Sequence, residues 1–98
     1  MATLNDQEIE QRLRDSEWHG EGAGSGAPAA IVREWTFPDF ELAIAFVNLV
    51  AATAERANHH PDILVHGWNK VRLTLATHSE GGLTEADFAL AAQIDQLA

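Results

Sequence analysis

Two periods of apolar and polar residues run along this chain, and they predict helices separated by strands. Near the start, Ile9 and Leu13 form a narrow apolar stripe one turn apart, as in a helix with one covered side. Asn5 is a good N-terminal cap, and Glu8 three residues later completes a capping box. We therefore predict a first helix that starts at Asn5 and fades near residues 15–16.

Strand patterns occupy three segments, Ala29 to Phe37, Ile63 to Trp68 and Lys70 to Thr77. The third alternates most cleanly between apolar and polar positions, as in a sheet that is covered on one side. Arg33 interrupts the apolar face of the first segment. We therefore place Arg33, together with Arg72, on the sheet face that is turned away from the helices.

The segment Gly20 to Gly26 contains four glycines in seven residues, which favours a flexible connection. The chain has no match to G-x-x-x-x-G-K-[ST], so a phosphate-binding loop is not indicated here. We predict that the segment connects the two strands of a hairpin.

The longest apolar-rich stretch predicts a second helix, which starts at Phe37-Pro38-Asp39 and runs to about Ala57. It carries two apolar stripes. The first follows helical spacing and comprises Phe40, Ala43, Ile44, Val47, Val50, Ala51 and Ala54. The second comprises Leu42, Phe46 and Leu49. Because a sheet covers only one side of a helix, we expect the second stripe to meet another subunit, with cover from helix one or three as the alternative.

A third helix has the strongest start signal of the chain. Thr84 is the cap, Asp87 closes the capping box, and Leu83 and Phe88 form a hydrophobic staple. The element order is then helix, strand, strand, helix, strand, strand, helix. It predicts an α+β fold, a single domain over residues 1–98, with the helices packed on one face of an antiparallel sheet.

Charge and composition exclude several classes of function. The 98 residues include 15 acidic and 6 basic side chains, a net charge of −9, which argues against nucleic acid and anionic membranes as ligands. There is no cysteine, hence no disulfide framework and no thiolate zinc site. The N-terminus lacks the features of a signal peptide, and the apolar run from Leu42 to Ala54 is too short to span a bilayer. We expect a cytoplasmic protein.

Three histidines carry the candidate chemistry. His59 and His60 precede Pro61, at the point where the second helix gives way to a strand, and His78 follows the last strand. Histidine is the side chain whose ordinary pKa lies near neutrality, so it suits proton transfer. We predict that the three imidazoles share one pocket, an arrangement that would suit proton delivery to a leaving hydroxyl and proton removal from a neighbouring nitrogen. This chemistry needs no metal or organic cofactor.

Two carboxylates accompany the histidines. Glu55 lies one helical turn before His59 and is expected to face that imidazole, and Asp87 is close along the chain to His78. Simpler interpretations remain open: Asp87 is explained by capping alone, and Glu55 by solvation. The three histidines could also ligate zinc, although adjacent histidines project in different directions.

The segment Glu55 to Asp87 resembles the pterin-4a-carbinolamine dehydratase family, also called 4a-hydroxytetrahydrobiopterin dehydratase. The resemblance lies in Glu55, His59-His60-Pro61, Trp68, Asn69-Lys70-Val71, Thr77-His78, Gly82-Leu83-Thr84 and Asp87, and it extends to Phe37-Pro38-Asp39-Phe40 and Ala45-Phe46-Val47. Two departures are Trp68, where tyrosine is frequent, and Gly67, which lengthens the segment after Pro61 by one residue.

The resemblance implies an enzyme that converts 4a-hydroxytetrahydropterin to quinonoid dihydropterin and water, and so recycles the pterin after aromatic amino acid hydroxylation. It implies His59 and His78 as the acid–base pair and His60 as the imidazole that orients the substrate. Glu55, Asp87, Thr77 and Trp68 are then supporting or substrate-binding residues.

The family fold is a four-stranded antiparallel sheet with three helices, assembled as homodimers or homotetramers. Some relatives of this family act as dimerisation or assembly factors, so a non-catalytic role on the same fold is the alternative function.

Overall fold

A computed structural model describes residues 2–22 and 28–98, which form three α-helices, four strands and one 3-10 turn. In chain order these are α1 (Asp6–Leu13), β1 (His19–Glu21), β2 (Ala30–Thr36), α2 (Phe40–Ala57), β3 (Asp62–His66), β4 (Lys70–Leu75), the 3-10 turn His78–Glu80 and α3 (Glu85–Asp95). The predicted α+β fold is confirmed.

The four strands form one antiparallel sheet in the order β1-β2-β4-β3. The register pairs Trp35 with Val71 and Val71 with Val65, and the buried members of this row face the helices. Because side chains alternate across a strand, Glu34 and Arg72, which are paired in the next row, lie on the open face.

Aromatic rings join the sheet to α2 in the core. Trp35 meets Trp18 edge-on at a centroid distance of 5.7 Å, and the Phe46 ring centroid lies 4.9 Å from that of Trp35. Such tilted and edge-on pairs add to the area they bury. The fully buried aliphatic side chains around them are Ile9, Ile31, Val50, Val71, Leu73, Leu75, Leu83, Leu90 and Ile94.

Both predicted capping boxes are present. The Glu8 N–H donates to Asn5 Oδ1 at 2.8 Å and the Asn5 N–H donates to Glu8 Oε1 at 3.0 Å. Thr84 and Asp87 form the same reciprocal pair at the start of α3. These side chains accept hydrogen bonds from backbone N–H groups that the start of a helix leaves without a partner. Because the capping residues lie within four positions of each other, both helix starts could be predicted from the sequence.

The predicted position of Arg33 on the open sheet face is wrong. Its Nη1 lies 2.8 Å from Asp95 Oδ1 in α3, and its guanidinium stacks 4.6 Å from the Trp35 ring centroid. The same Asp95 oxygen accepts the indole N–H of Trp18 at 2.8 Å. Arg33 therefore obeys the strand alternation and faces the helices, where a carboxylate and a ring make its partial burial tolerable.

The predicted division of α2 into two stripes is wrong for Phe46. This ring is buried against Trp35 and Phe37 within the chain. Its two predicted neighbours, Leu42 and Leu49, remain 47% and 50% exposed. At 18 residues α2 is the longest helix, and none of the helices in the described ranges is long and apolar enough to cross a membrane.

The strand that was predicted to run to Trp68 ends at His66, because Gly67 and Trp68 form the turn into β4. Both have positive φ, 55° and 60°. Glycine adopts this conformation without penalty, whereas an L-residue such as tryptophan pays roughly 1–2 kcal/mol. Lys70 to Thr77 also shortens, to Lys70–Leu75.

The hairpin predicted around Gly20 to Gly26 is present as the antiparallel pair β1 and β2. Gly20 itself lies within β1, where a Cβ would come within 2.4 Å of the Pro28 ring. Only a residue without a side chain fits there. Residues 23–26 of the predicted loop lie outside the described residues.

Candidate active site

Asp87 occupies the centre of the candidate site and is completely buried. Its Oδ1 lies 2.6 Å from Nε2 of His59. Its Oδ2 accepts the backbone N–H of Thr84 at 2.9 Å and the hydroxyl of Thr77 at 2.8 Å. The carboxylate thus joins the end of α2, the segment after β4 and the start of α3.

The end of α2 brings His59 to Asp87. Asn58 takes a left-handed conformation, with φ 52° and ψ 41°, which asparagine tolerates better than most residues. The N–H of His59 closes the helix by bonding to the Ala54 carbonyl at 3.2 Å. The chain then leaves the helix axis, and the His59 side chain packs toward α3 with 16% of it exposed.

The expectation that Glu55 faces His59 is wrong, because Glu55 Oε1 lies 2.5 Å from Nε2 of His60. The one-turn spacing of helical neighbours applies only while the helix continues, and it stops at Asn58. Glu55 and His60 are both largely exposed. This pair can still hold the His60 ring in place, but solvent screens it more than the buried pair at Asp87.

Two threonine hydroxyls complete the cluster around Asp87. Thr77 Oγ1 lies 2.9 Å from Thr84 Oγ1, and Thr84 Oγ1 also accepts the Ala86 N–H at 3.2 Å. Thr77 is held there by an isolated antiparallel bridge to Gly82. The sequence indicated Thr84 only as a helix cap. Its contact with Thr77 depends on the loop between them, which no local pattern predicts.

His78 follows Thr77 directly but lies on the surface. It lines a cavity of about 300 Å³ together with Thr77 and Ala30, which is near the lower limit for small-molecule sites. Neither His59 nor His60 lines this cavity. Among the described residues no hydrogen bond joins His78 to either of them, so a single hollow shared by all three rings stays a prediction.

Within one chain, Trp68 lies at the opposite end of β3 from His59 and His60. It lies in the turn after β3, whereas His60 precedes β3. Five residues of strand separate the two ends by roughly 17 Å. Its side chain is 61% exposed, and its role as a substrate-binding residue stays a prediction.

A second group of charges lies on the open sheet face. His66 Nε2 is 2.6 Å from Glu34 Oε1, and Arg72 Nε is 3.3 Å from the same oxygen. The hydrogen bond from His66 lowers the pKa of Glu34, and the charges of His66 and Arg72 add to this effect, while burial opposes it. His66 was expected to be an ordinary surface strand residue, as was His19, which is exposed on β1.

The arrangement at Asp87 suits proton transfer. A buried carboxylate that contacts an imidazole orients the ring and stabilises the charge the ring gains when it accepts a proton. Over residues 2–22 and 28–98, no group of three or more His, Asp or Glu side chains is placed to hold a metal ion.

Comparison with known proteins identifies the family. The family model described as "Pterin 4 alpha carbinolamine dehydratase" matches residues 2–97. The chain belongs to the pterin 4 alpha carbinolamine dehydratase family. Two curated relatives carry the name "Putative pterin-4-alpha-carbinolamine dehydratase". The one from Roseiflexus castenholzii is 50% identical over 98% of this chain and 97% of its own length. The one from Acidobacterium capsulatum is 50% identical over 99% of both.

Two solved structures share the fold. A "transcriptional coactivator/pterin dehydratase" from Brucella melitensis superposes with a TM-score of 0.86 at 35% identity, covering 98% of each chain. A "pterin dehydratase-like protein" identified as "a RuBisCO assembly factor in the alpha-carboxysome" gives 0.69 at 29% identity, over 86% of this chain and 92% of that one. The proteins similar to this chain therefore include some named for dehydratase activity and one named for assembly.

Proposed function

We propose that this chain is a hydro-lyase that converts 4a-hydroxytetrahydropterin to quinonoid dihydropterin and water. The observation that carries the proposal is the buried Asp87 carboxylate 2.6 Å from His59 Nε2. Asp87 caps α3 through its other oxygen, so the capping role alone does not indicate an enzyme; the feature that supports catalysis is the imidazole, which the carboxylate orients and whose charged form it stabilises. Family membership supports the choice of substrate.

The reaction requires two proton transfers. The C4a–O bond breaks as the leaving hydroxyl receives a proton and departs as water with the bonding electron pair. Loss of the N5 proton then leaves its electron pair in a new C4a=N5 double bond. We assign these transfers to His59 and His78, with His60 orienting the pterin and Glu55 holding His60. The proposed reaction uses no metal and no organic cofactor.

The test is dehydration of synthetic 4a-hydroxytetrahydropterin, followed by ultraviolet absorbance with purified protein. We expect a rate above that of buffer, saturable in substrate. The matched control is His19→Ala, since His19 is exposed on β1 and contacts no residue of the cluster. Dehydration at the buffer rate would reject the enzymatic function.

The alternative is a non-catalytic dimerisation or assembly factor. The observation that favours it is the superposition with a protein named as a RuBisCO assembly factor. An assembly role would depend on exposed apolar residues such as Leu42 and Leu49, not on His59. For an enzyme, His59→Ala should lower the dehydration rate by about 10² to 10⁴ and leave association with other chains unchanged.

The partners follow from the proposed reaction. The pterin substrate would come from an aromatic amino acid hydroxylase, whose product is the 4a-hydroxy compound, and both proteins would work in the cytoplasm. Exposed apolar side chains on α2 and β3 support a homodimer or homotetramer.

A further inference from the structure

The hydrogen bonds around Asp87 have only one consistent direction. The Ala86 backbone N–H can only donate, and Thr84 Oγ1 accepts it. At the other end, a carboxylate can only accept, so the Thr77 hydroxyl directs its single proton to Asp87 Oδ2. The 2.9 Å contact between the two threonine oxygens then needs the Thr84 proton. The order of donors is Thr84, Thr77, Asp87.

Asp87 Oδ2 accepts hydrogen bonds from the Thr77 hydroxyl and the Thr84 N–H. Oδ1 is then the oxygen that contacts His59. Two lone pairs would repel each other at 2.6 Å, so one proton lies between His59 Nε2 and Asp87 Oδ1. Oδ2 of Asp87 already accepts hydrogen bonds from the Thr77 hydroxyl and the Thr84 N–H, and such bonds stabilise the ionised form of the carboxylate. The shared proton therefore belongs to the ring nitrogen.

We infer that Thr84, Thr77 and Asp87 form an oriented chain of hydrogen bonds, and that this chain of hydrogen bonds holds neutral His59 in the tautomer with its proton on Nε2. Nδ1 is then the basic atom that is presented to the substrate. This inference rests on the proposed function for the identity of the substrate, but not for the tautomer. Nδ1 has no hydrogen-bond partner among the described residues, and no buried side-chain nitrogen or oxygen is left unpaired. Nδ1 is therefore accessible to solvent.

The directions of these hydrogen bonds also bear on whether Thr77 contacts the substrate. Its only proton is committed to Asp87, and its oxygen accepts from Thr84. Thr77 is therefore a positioning residue that acts through Asp87 and not a donor to the pterin. Thr84 joins it in this role in addition to capping α3.

The tautomer is measurable without any substrate. We would label the full chain with ¹⁵N-histidine and record long-range ¹H–¹⁵N spectra at about pH 8, above the ordinary imidazole pKa, with His59→Gln to assign the signals. The expected spectrum has the His59 proton on Nε2. A proton on Nδ1 in the wild-type chain overturns the inference, whatever the behaviour of any variant.

Asp87→Asn tests the cause. Thr84 N–H and Thr77 O–H both need an acceptor, so the amide oxygen takes the place of Oδ2 and the amide NH₂ faces His59 Nε2. The tautomer should then reverse, with the proton on Nδ1, and dehydration should fall by about 10⁴, as a reversed tautomer does in serine proteases. A folded Asp87→Asn protein in which His59 keeps its proton on Nε2 would show that the hydrogen bonds around Asp87 do not set the tautomer.

Thr77→Val removes one donor to Asp87 at nearly constant volume, and Thr77→Ser restores it. For a positioning residue, kcat should fall about tenfold with KM unchanged, and Thr77→Ser should recover most of the loss. A change confined to KM identifies Thr77 as a substrate contact and overturns its assignment here. An inactive wild-type chain with the Nε2 tautomer would reject the proposed dehydratase while supporting the tautomer, so the two failures are distinguishable.

Discussion

Asp87 contacts His59 through one carboxylate oxygen and caps α3 through the other. The candidate site and the start of the helix therefore share a single buried side chain. A capping residue on the surface contributes about 1 kcal/mol. Asp87 should contribute more, because its loss leaves buried donors without an acceptor.

We expect Asp87→Ala to lower the free energy of unfolding by about 2–4 kcal/mol, as the sum of a lost cap and of unsatisfied donors on Thr84 and Thr77. Urea unfolding followed by tryptophan fluorescence measures the loss. The matched control is Asn5→Ala, which removes an equivalent but exposed capping box from α1. It should cost about 0.5–1 kcal/mol. Equal losses in the two variants would show that burial of Asp87 adds nothing.

The histidines should separate into two groups by activity. His59→Ala and His78→Ala should each reduce kcat by about 10² to 10⁴, the usual contribution of a positioned acid or base. His66→Ala should leave the rate unchanged, since His66 contacts Glu34 on the open sheet face. The measurement is dehydration of the synthetic carbinolamine under saturating substrate. If His78→Ala keeps the wild-type rate, another group must supply the second proton transfer.

Local patterns in the sequence predicted the elements well, because caps, turns and periodicity act over a few residues. The starts of α1 and α3 and the stop of α2 at Asn58 are examples. The end of α2 at Asn58 is also the reason that the predicted contact between Glu55 and His59 is wrong. Helical spacing predicted a contact between Glu55 and His59. The left-handed Asn58 changes the direction of the chain, so that His60 contacts Glu55 and His59 contacts Asp87.

Contacts between residues that are distant in the sequence could not be predicted from local sequence patterns. Arg33 breaks an apolar stripe in the sequence, and the cation is tolerated there because it stacks on Trp35 and pairs with Asp95, 62 residues away. Thr84 likewise gave a clear capping signal that concealed its contact with Thr77. In both cases the local pattern is visible in the sequence, whereas the distant partner depends on the fold.

Asp95→Ala should destabilise the fold because two donors lose their acceptor at once. Trp18 is almost completely buried, and its indole N–H has Asp95 as its partner, as does the Arg33 guanidinium. We expect a loss of about 2–3 kcal/mol in urea unfolding. Glu10→Ala breaks the exposed pair with Arg14 and should change stability by less than about 0.5 kcal/mol. A loss as small as that of Glu10→Ala would rule out the shared-acceptor explanation.

The lowered pKa of Glu34 predicts a small pH dependence of stability. A carboxyl group whose folded pKa lies below its ordinary value stabilises the fold above that ordinary value, and this contribution disappears as the pH falls through the folded pKa. The wild-type chain should therefore be more stable than Glu34→Gln at about pH 6, and the difference should shrink on acidification below about pH 4. Urea unfolding at both pH values tests the sign, and a difference that grows on acidification contradicts it.

Self-association should depend on the exposed apolar side chains of α2. Leu49 is 50% exposed and lies on a helix whose buried face is already occupied by Phe46 and Val50. We expect sedimentation equilibrium of the wild-type chain at micromolar concentration to give a dimer or tetramer, and Leu49→Lys to shift it toward monomer by placing a charge in an apolar contact. Gln93→Lys adds the same charge to the exposed surface of α3 and should leave the mass unchanged. A wild-type chain that sediments only as monomer would remove the second subunit from the proposal, and Leu42 and Leu49 would then need another partner.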